Sequence, residues 1–280
     1  GHRSARPQPQ IVLSDERGSA SPSKGSPMAG QIWYLKSCRL FENCSNQQIA
    51  RLESASRAKT VAKGEPIYLP ADNANSVLVL ASGRVKICHL TSDGKQSILA
   101  FIEPGEVFGE LAILNMGNRD EYAEAVENSR VIAIPEETLR ELMEEHADLC
   151  LGVTKIIGLR RRRIERRVKN LLYLPNRERI IHLLLELAEQ YGLETNRGIE
   201  LSIRLSHQDL ASLVGSTRET VTVVLGSMQN DGLIELGRRK VILKAPDQLA
   251  HQVGVPPLRI SDSNLSNSPT SFYLRHSLGT

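Results

Sequence analysis

A chain of 280 residues with 40% apolar content has room for two domains of ordinary size, and 35 Lys and Arg against 32 Asp and Glu, a net +3, exclude a uniformly charged polyelectrolyte. No apolar run approaches the ~18 residues needed to cross a bilayer and no secretory signal is visible, so the expected location is cytoplasmic, without membrane contact. Cys38, Cys44, Cys88 and Cys150 are scattered without CxxC spacing and read as reduced thiols.

The charge is divided along the chain. Residues 31 to 146 carry 12 Lys and Arg against 17 Asp and Glu, whereas residues 147 to 250 carry 17 against 12. Only the second half suits a polyanion.

Residues 1 to 30, rich in Ser, Pro, Gly and Arg, predict a disordered leader, with Met28 as a candidate natural start. From about 59 to 134 short strands follow one another: 65–69, 77–81, 84–90, 97–102, 106–108 and 130–134. Gly64, Gly83, Asp93-Gly94 and Pro104-Gly105 punctuate them. Strands at this spacing with no long helix between them predict a β-roll or jelly-roll sensory domain over 31–146. Pro135 opens a short helix to about Glu145.

A long helix over 147–174 comes next. Ile157, Ile164 and Leu171 recur every seven residues, with Val153 and Val168 in alternate turns, which is the pattern of a dimer seam. On the same helix Arg160-Arg161-Arg162-Arg163 and Arg166-Arg167 read either as a solvated face or as an anion-attracting surface near a ligand or DNA. Pro175-Asn176 breaks the helix, and Arg177 to Tyr191 forms another.

The most informative segment lies within the 175–250 domain. Ser206 can cap a helix with Asp209 three residues on; Leu210, Leu213 and Val214 form its apolar stripe, Gly215 permits a left-handed turn, and Ser216 or Thr217 restarts the chain. In the second helix Val221, Val224, Leu225 and Met228 share one face, leaving Arg218, Glu219, Thr222 and Val223 on the other as candidate base readers. Two short strands after Asp231-Gly232 enclose the basic turn Gly237-Arg238-Arg239-Lys240, a wing. Ser206, Gln208, Ser216, Thr217, Arg238, Arg239 and Lys240 are then candidate phosphate contacts. Residues 251 to 280 predict a loose tail.

Roll, long helix and winged helix-turn-helix, in this order, resemble the CRP/FNR superfamily of transcription regulators. The resemblance covers roughly residues 34 to 250 and rests on Leu40-Phe41, Gly64-Glu65, Ser82-Gly83, the run Pro104-Gly105-Glu106-Val107-Phe108-Gly109-Glu110-Leu111, and Gly215-Ser216-Thr217-Arg218-Glu219-Thr220-Val221. It implies an α+β chain that is not an enzyme. The implied protein is a homodimer that senses an effector in the roll, reads a two-fold symmetric operator in double-stranded DNA and meets RNA polymerase.

The resemblance also implies where an effector would sit: Gly109, Glu110, Leu111, Arg119, Asp120, Ile164 and Glu165. Members that bind cyclic AMP use Gly-Glu for the ribose, Arg-Ser for the phosphate and Thr-Ser on the long helix for the base. Gly109-Glu110 matches the first. With Arg119 at the arginine position, Asp120 stands where the phosphate-facing hydroxyl belongs, and Ile164-Glu165 replaces the hydroxyl pair, so cyclic AMP is disfavoured.

Three rival readings are weaker. Cys38-x5-Cys44 matches only part of an iron–sulfur sensor's cysteine pattern, and the seven histidines include no HxH pair for a cupin-type metal enzyme. A nucleotide-binding regulatory subunit acting through protein contacts would leave Arg218-Glu219 and the basic wing unexplained. The expected cofactor is therefore unknown, and no metal is expected.

Overall fold

The computed structural model describes residues 31–90, 96–114 and 117–258; the expected leader and residues 259–280 of the expected tail lie outside them. Helices α1 (Gln31–Ser37) and α2 (Asn46–Ala55) precede the roll. Ser45 caps α2: its Oγ accepts from the Gln48 backbone N–H at 3.3 Å while Gln48 Oε1 accepts from the Ser45 N–H at 2.7 Å.

The roll is built from β1 (Arg57–Val61), β2 (Pro66–Tyr68), β3 (Ser76–Ser82), β4 (Val85–Leu90), β5 (Gln96–Ile102), β6 (Val107–Phe108), β7 (Tyr122–Ala125) and β8 (Ser129–Pro135). Antiparallel pairing gives two sheets, β1-β8-β3-β6 and β2-β7-β4-β5. The period of two in β3 assigns every side chain. Leu78 and Leu80 enter the layer between the sheets with Val85, Ile87, Ile102 and Phe108, whereas Val77, Val79 and Ala81 pack outward against α1, α2 and α3 (Glu136–Glu145). A sheet covered on both faces needs apolar residues at successive positions, which is why Val77-Leu78-Val79-Leu80 is unbroken.

Helix α4 (Ala147–Tyr173) follows. Pro175 forces Leu174 into extended geometry, φ −114° and ψ 142°, and so ends it. The C-terminal domain contains α5 (Asn176–Tyr191), β9 (Gly192–Thr195), β10 (Gly198–Leu201), α6 (His207–Val214), α7 (Arg218–Asn230), β11 (Ile234–Gly237), β12 (Lys240–Leu243) and α8 (Pro246–Gln252). Its core joins Ile180, Leu184, Leu210, Val221, Leu225 and Leu249. Cys88, Ile98, Phe101 and Tyr122, from the outer face of the second roll sheet, belong to the same apolar cluster.

β1 and β7 have no counterpart among the expected strands, and two further features differ from the sequence expectation. β9 and β10 form a hairpin, shorter than the patterns that announce a strand, that widens the wing sheet to the order β11-β12-β10-β9. The tail expected from residue 251 is part of the fold as far as 258, because Leu249 and Ala250 are buried and Val253, Val255 and Leu258 pack on the same core.

Gly83 makes the turn between β3 and β4 at φ +89°, where a Cβ would lie 2.4 Å from Ser129 Oγ and 2.6 Å from the Asn128 carbonyl. Gly64 has a similar φ of +82° with open space around it. Gly83→Ala should therefore cost on the order of 3 kcal/mol or more, and Gly64→Ala only about 1 kcal/mol, the conformational cost alone. Urea unfolding of both variants checks this; equal midpoints would show that the clash is absorbed without cost.

Candidate nucleic-acid interface and roll cavity

The helix-turn-helix is set by its caps. Ser206 Oγ accepts from the Asp209 N–H at 3.1 Å while Asp209 Oδ2 accepts from the Ser206 N–H at 2.8 Å, which starts α6. Gly215 ends it at φ 65° and ψ 49°, and Thr217 Oγ1 accepts from the Thr220 N–H at 3.2 Å to start α7. Arg179 of α5 buttresses the turn by donating to the carbonyls of Val214 at 3.0 Å and Gly215 at 3.4 Å, a role with no sequence signal.

Val221, Leu225 and Met228 of α7 are buried. Arg218, Glu219, Thr222 and Val223 are exposed, Val223 by 72%. The Thr222 hydroxyl donates to the Arg218 carbonyl at 2.8 Å, so the contact with His207 Nδ1, also 2.8 Å, requires the imidazole to donate. Thr222 is therefore held by its own helix and by α6 rather than left open for a base. The hydroxyls of Ser206 and Thr217 are likewise engaged in capping. Gln208, Arg218, Glu219, Arg238 and Arg239 are exposed and take no part in these caps.

The wing brings several of these residues together. Gly237 pairs with Lys240 across a two-residue turn in which Arg239 adopts φ 56°, and Arg238 and Arg239 form its exposed tip. A cleft of about 310 Å³ between the wing and the starts of α6 and α7 is lined by Ser206, Gln208, Arg218, Arg239 and Lys240. Ser216 and Thr217 lie outside this lining. Lys240 is only half-buried and pairs with Glu200 of β10 at 2.7 Å, so part of its charge is already compensated.

A buried polar cluster of the roll is built around Glu110, which opens a 3₁₀ turn over Glu110–Leu114 and is only 5% exposed. Gly109 precedes it at φ +66°, and a Cβ there would lie 2.6 Å from Arg119 Nη1. Arg119 is buried, donating to the carbonyls of Gly109 at 2.8 Å and Ser76 at 2.5 Å, with its guanidinium 4.5 Å from the Tyr68 ring centre. The Tyr68 hydroxyl donates to Glu121 at 2.9 Å. Burial, opposed by that hydrogen bond, raises the Glu121 carboxyl above its ordinary range.

Four of the expected effector residues, Leu111, Asp120, Ile164 and Glu165, are exposed on this chain. Asp120 is exposed, and the carboxylate beside Arg119 that turns inward to Tyr68 is Glu121. Ile164 is 40% exposed, and Glu165 pairs with Arg161 at 2.7 Å on the outer face of α4. The α4 residue that reaches this cluster is Arg160, one turn earlier, which donates through Nη1 to Glu110 and through Nη2 to the Val107 carbonyl. Leu111 is exposed on the 3₁₀ turn.

The phase of α4 also sorts the seam. Leu149, Val153, Arg160 and Arg167 lie toward the chain's own domains, and Val153, only 4% exposed, therefore cannot belong to an open seam. Ile164, Val168 and Leu171 are 40 to 50% exposed and Ile157 is half-buried, an apolar stripe that runs beside that face. Leu172 borders it, whereas Leu151 and Tyr173 are exposed on other faces of the helix.

The thiols offer little to redox chemistry. Burial pushes Cys38 up to about 12 and Cys88 up to about 11. Among the described residues no three His, Cys, Asp or Glu side chains are placed to hold a metal ion, and no helix is long and apolar enough to cross a membrane.

Residues 58–146 match the model of the cyclic nucleotide-binding domain, and residues 178–252 that of the Crp-like helix-turn-helix domain. The chain is 24% identical over 213 residues to the CRP-like cAMP-activated global transcriptional regulator of Mycobacterium tuberculosis, covering 76% of this chain and 95% of that protein. It is 29% identical over 196 residues to the global nitrogen regulator of a Synechocystis species, covering 69% and 87%. Among solved structures, a CRP-family transcriptional regulator from Thermus thermophilus aligns with TM-score 0.60 at 28% identity, over 72% of this chain and all of that one. A CooA variant from Carboxydothermus hydrogenoformans, at 23% identity, shares the fold with TM-score 0.67 over 80% and 99%.

Proposed function

The chain belongs to the CRP/FNR family of transcription regulators, and on that premise we propose that it is a homodimer that reads a two-fold symmetric operator through α7 and the wing. Its roll controls DNA binding without taking cyclic AMP. The observation that carries the DNA reading is the exposure of Arg218, Glu219 and Val223 at the start of α7, beside a cleft that also holds Arg239 and Lys240. Arginine matches guanine O6 and N7, glutamate accepts from cytosine N4, and the Val223 methyls suit a thymine methyl.

The test separates reading from positioning. Operator sequences selected from random DNA should show Glu219→Ala relaxing preference at one base pair by ~1 to 3 kcal/mol. Arg238→Ala should weaken all sequences alike and reduce the salt slope by about one unit. The exposed wing tip is the better probe because Lys240 is shared with Glu200. An unchanged sequence preference in the Glu219 variant would remove this residue from the readout.

The reading of the roll rests on its charges. Glu110 and Glu121 line the space where a ribose phosphate would have to fit, Arg119 is engaged by two backbone carbonyls, and Arg160 is held by Glu110. A cyclic nucleotide meets two carboxylates there and no arginine free of a partner.

A further inference from the structure

An imidazole braces the reading helix. Thr222 Oγ1 gives its hydrogen to the Arg218 carbonyl, so His207 Nδ1, 2.8 Å away, carries the hydrogen of the second bond. A neutral imidazole has a single N–H. With that N–H fixed at Nδ1, Nε2 holds a lone pair, and among the described residues it has no hydrogen-bond partner.

His207 opens α6 and lines the cleft between the wing and α7 together with Ser206, Gln208, Arg218, Arg239 and Lys240. The charged groups of this lining are cations, on α7 and on the wing, and Lys240 is shared with Glu200 of β10. The nearby carboxylates point elsewhere: Asp209 of α6 accepts from the N–H and hydroxyl of Ser206 at 2.8 and 2.6 Å, and Glu219 of α7 is exposed outside the lining. A lone pair among cations suits a phosphate only once it has gained a proton. A neutral Nε2 and a phosphate oxygen are both acceptors and repel, whereas an imidazolium N–H makes a charge-assisted bond. Imidazole is the side chain that makes this change between pH 5 and 8.

Resting on the regulator reading above, we propose that His207 is a proton-linked phosphate contact: as DNA enters the cleft, Nε2 takes a proton from solvent and donates it to a phosphate oxygen, while Nδ1 stays bonded to Thr222. No other bond is made or broken. Binding therefore strengthens as pH falls, and it does so for every sequence alike, because phosphates carry no base identity.

Calorimetry on the full chain with duplex DNA at pH 7, in cacodylate and in Tris at equal ionic strength, counts the protons. The wild type should take up more per half-site than His207→Gln, by a difference approaching one proton. Between pH 8 and pH 6 its affinity should rise on the order of tenfold more than that of His207→Gln. Burial lifts the Glu189 carboxyl of α5 to about 7, so it titrates over the same interval, and the difference between wild type and variant is the quantity that counts. His207→Arg, with a fixed charge, should bind like the wild type at pH 6 and retain that affinity at pH 8. Nitrogen NMR of the His207 ring should show hydrogen on both nitrogens in the complex, a readout independent of affinity.

Equal proton uptake and parallel pH profiles in the wild type and His207→Gln would overturn the proposal whatever the loss of affinity, since His207 would then only brace Thr222. A wild-type chain that selects no DNA sequence overturns the regulator reading instead, and the pH profile on unselected duplex DNA still decides the phosphate contact.

Discussion

Replacing Ile164 by glutamate should leave the chain monomeric at micromolar concentration. Light scattering should give a mass near 31.0 kDa, where the wild type gives twice that. Ile157, Ile164, Val168 and Leu171 form an apolar stripe along α4, and Ile164, 40% exposed, lies at its middle. In a parallel pair of helices the two copies of residue 164 face each other, so the substitution replaces a buried apolar contact with two carboxylates and costs several kcal/mol. Operator affinity should fall by ~100-fold or more, because each subunit would hold its half-site alone. A dimer that survives Ile164→Glu would place the seam elsewhere.

Titration with cyclic AMP or cyclic GMP should show no binding at micromolar concentrations. A phosphodiester drawn toward Arg119 comes close to Glu121, and like charges about 4 Å apart cost ~4 kcal/mol at an effective dielectric near 20. That equals the entire binding energy of a millimolar ligand, ~4 kcal/mol. Entry would also have to break Arg160 from Glu110. Micromolar affinity for either nucleotide in isothermal titration would mean that both carboxylates turn away and both arginines swing onto the ligand.

The reading surface was legible in the sequence because each part of it is punctuated. Ser206 with Asp209, Gly215, Thr217 and Asp231-Gly232 mark where two helices and a wing begin and end, and a period of 3.6 then assigns the faces. The roll's strands were legible for the same reason, with β1 and β7 the exceptions: β1 buries only Val61 at its end, and Glu121 and Glu124 flank the buried Tyr122 and Ala123 of β7 and hide an otherwise ordinary strand.

The buried cluster around Glu110 was much less legible. Four consecutive arginines, 160 to 163, look alike as letters, and only the phase of α4 sends Arg160 to Glu110 and leaves Arg161 outside beside Glu165. Ile164-Glu165, where the resemblance places the hydroxyl pair, lies one turn beyond Arg160. One residue also separated Asp120 from Glu121, and where a strand begins the pleat alone decides which of two adjacent carboxylates turns inward. The buttress Arg179 depends on the approach of α5 to the turn at Gly215, which local pattern does not encode.

The apolar cluster that joins Cys88, Ile98, Phe101 and Tyr122 of the roll to α5, α6 and α7 has a thermodynamic consequence. Arg84, paired with Glu103 at 2.6 Å and lying 5.9 Å from the ring centre of Tyr191, spans the same boundary. Two domains that share one core do not melt independently: opening the second sheet of the roll exposes the scaffold of the reading helix, and the free energy of both is lost in a single cooperative step. A substitution anywhere along that boundary therefore changes the fraction of molecules competent to bind DNA, even where it touches neither the cavity nor the groove-facing side chains.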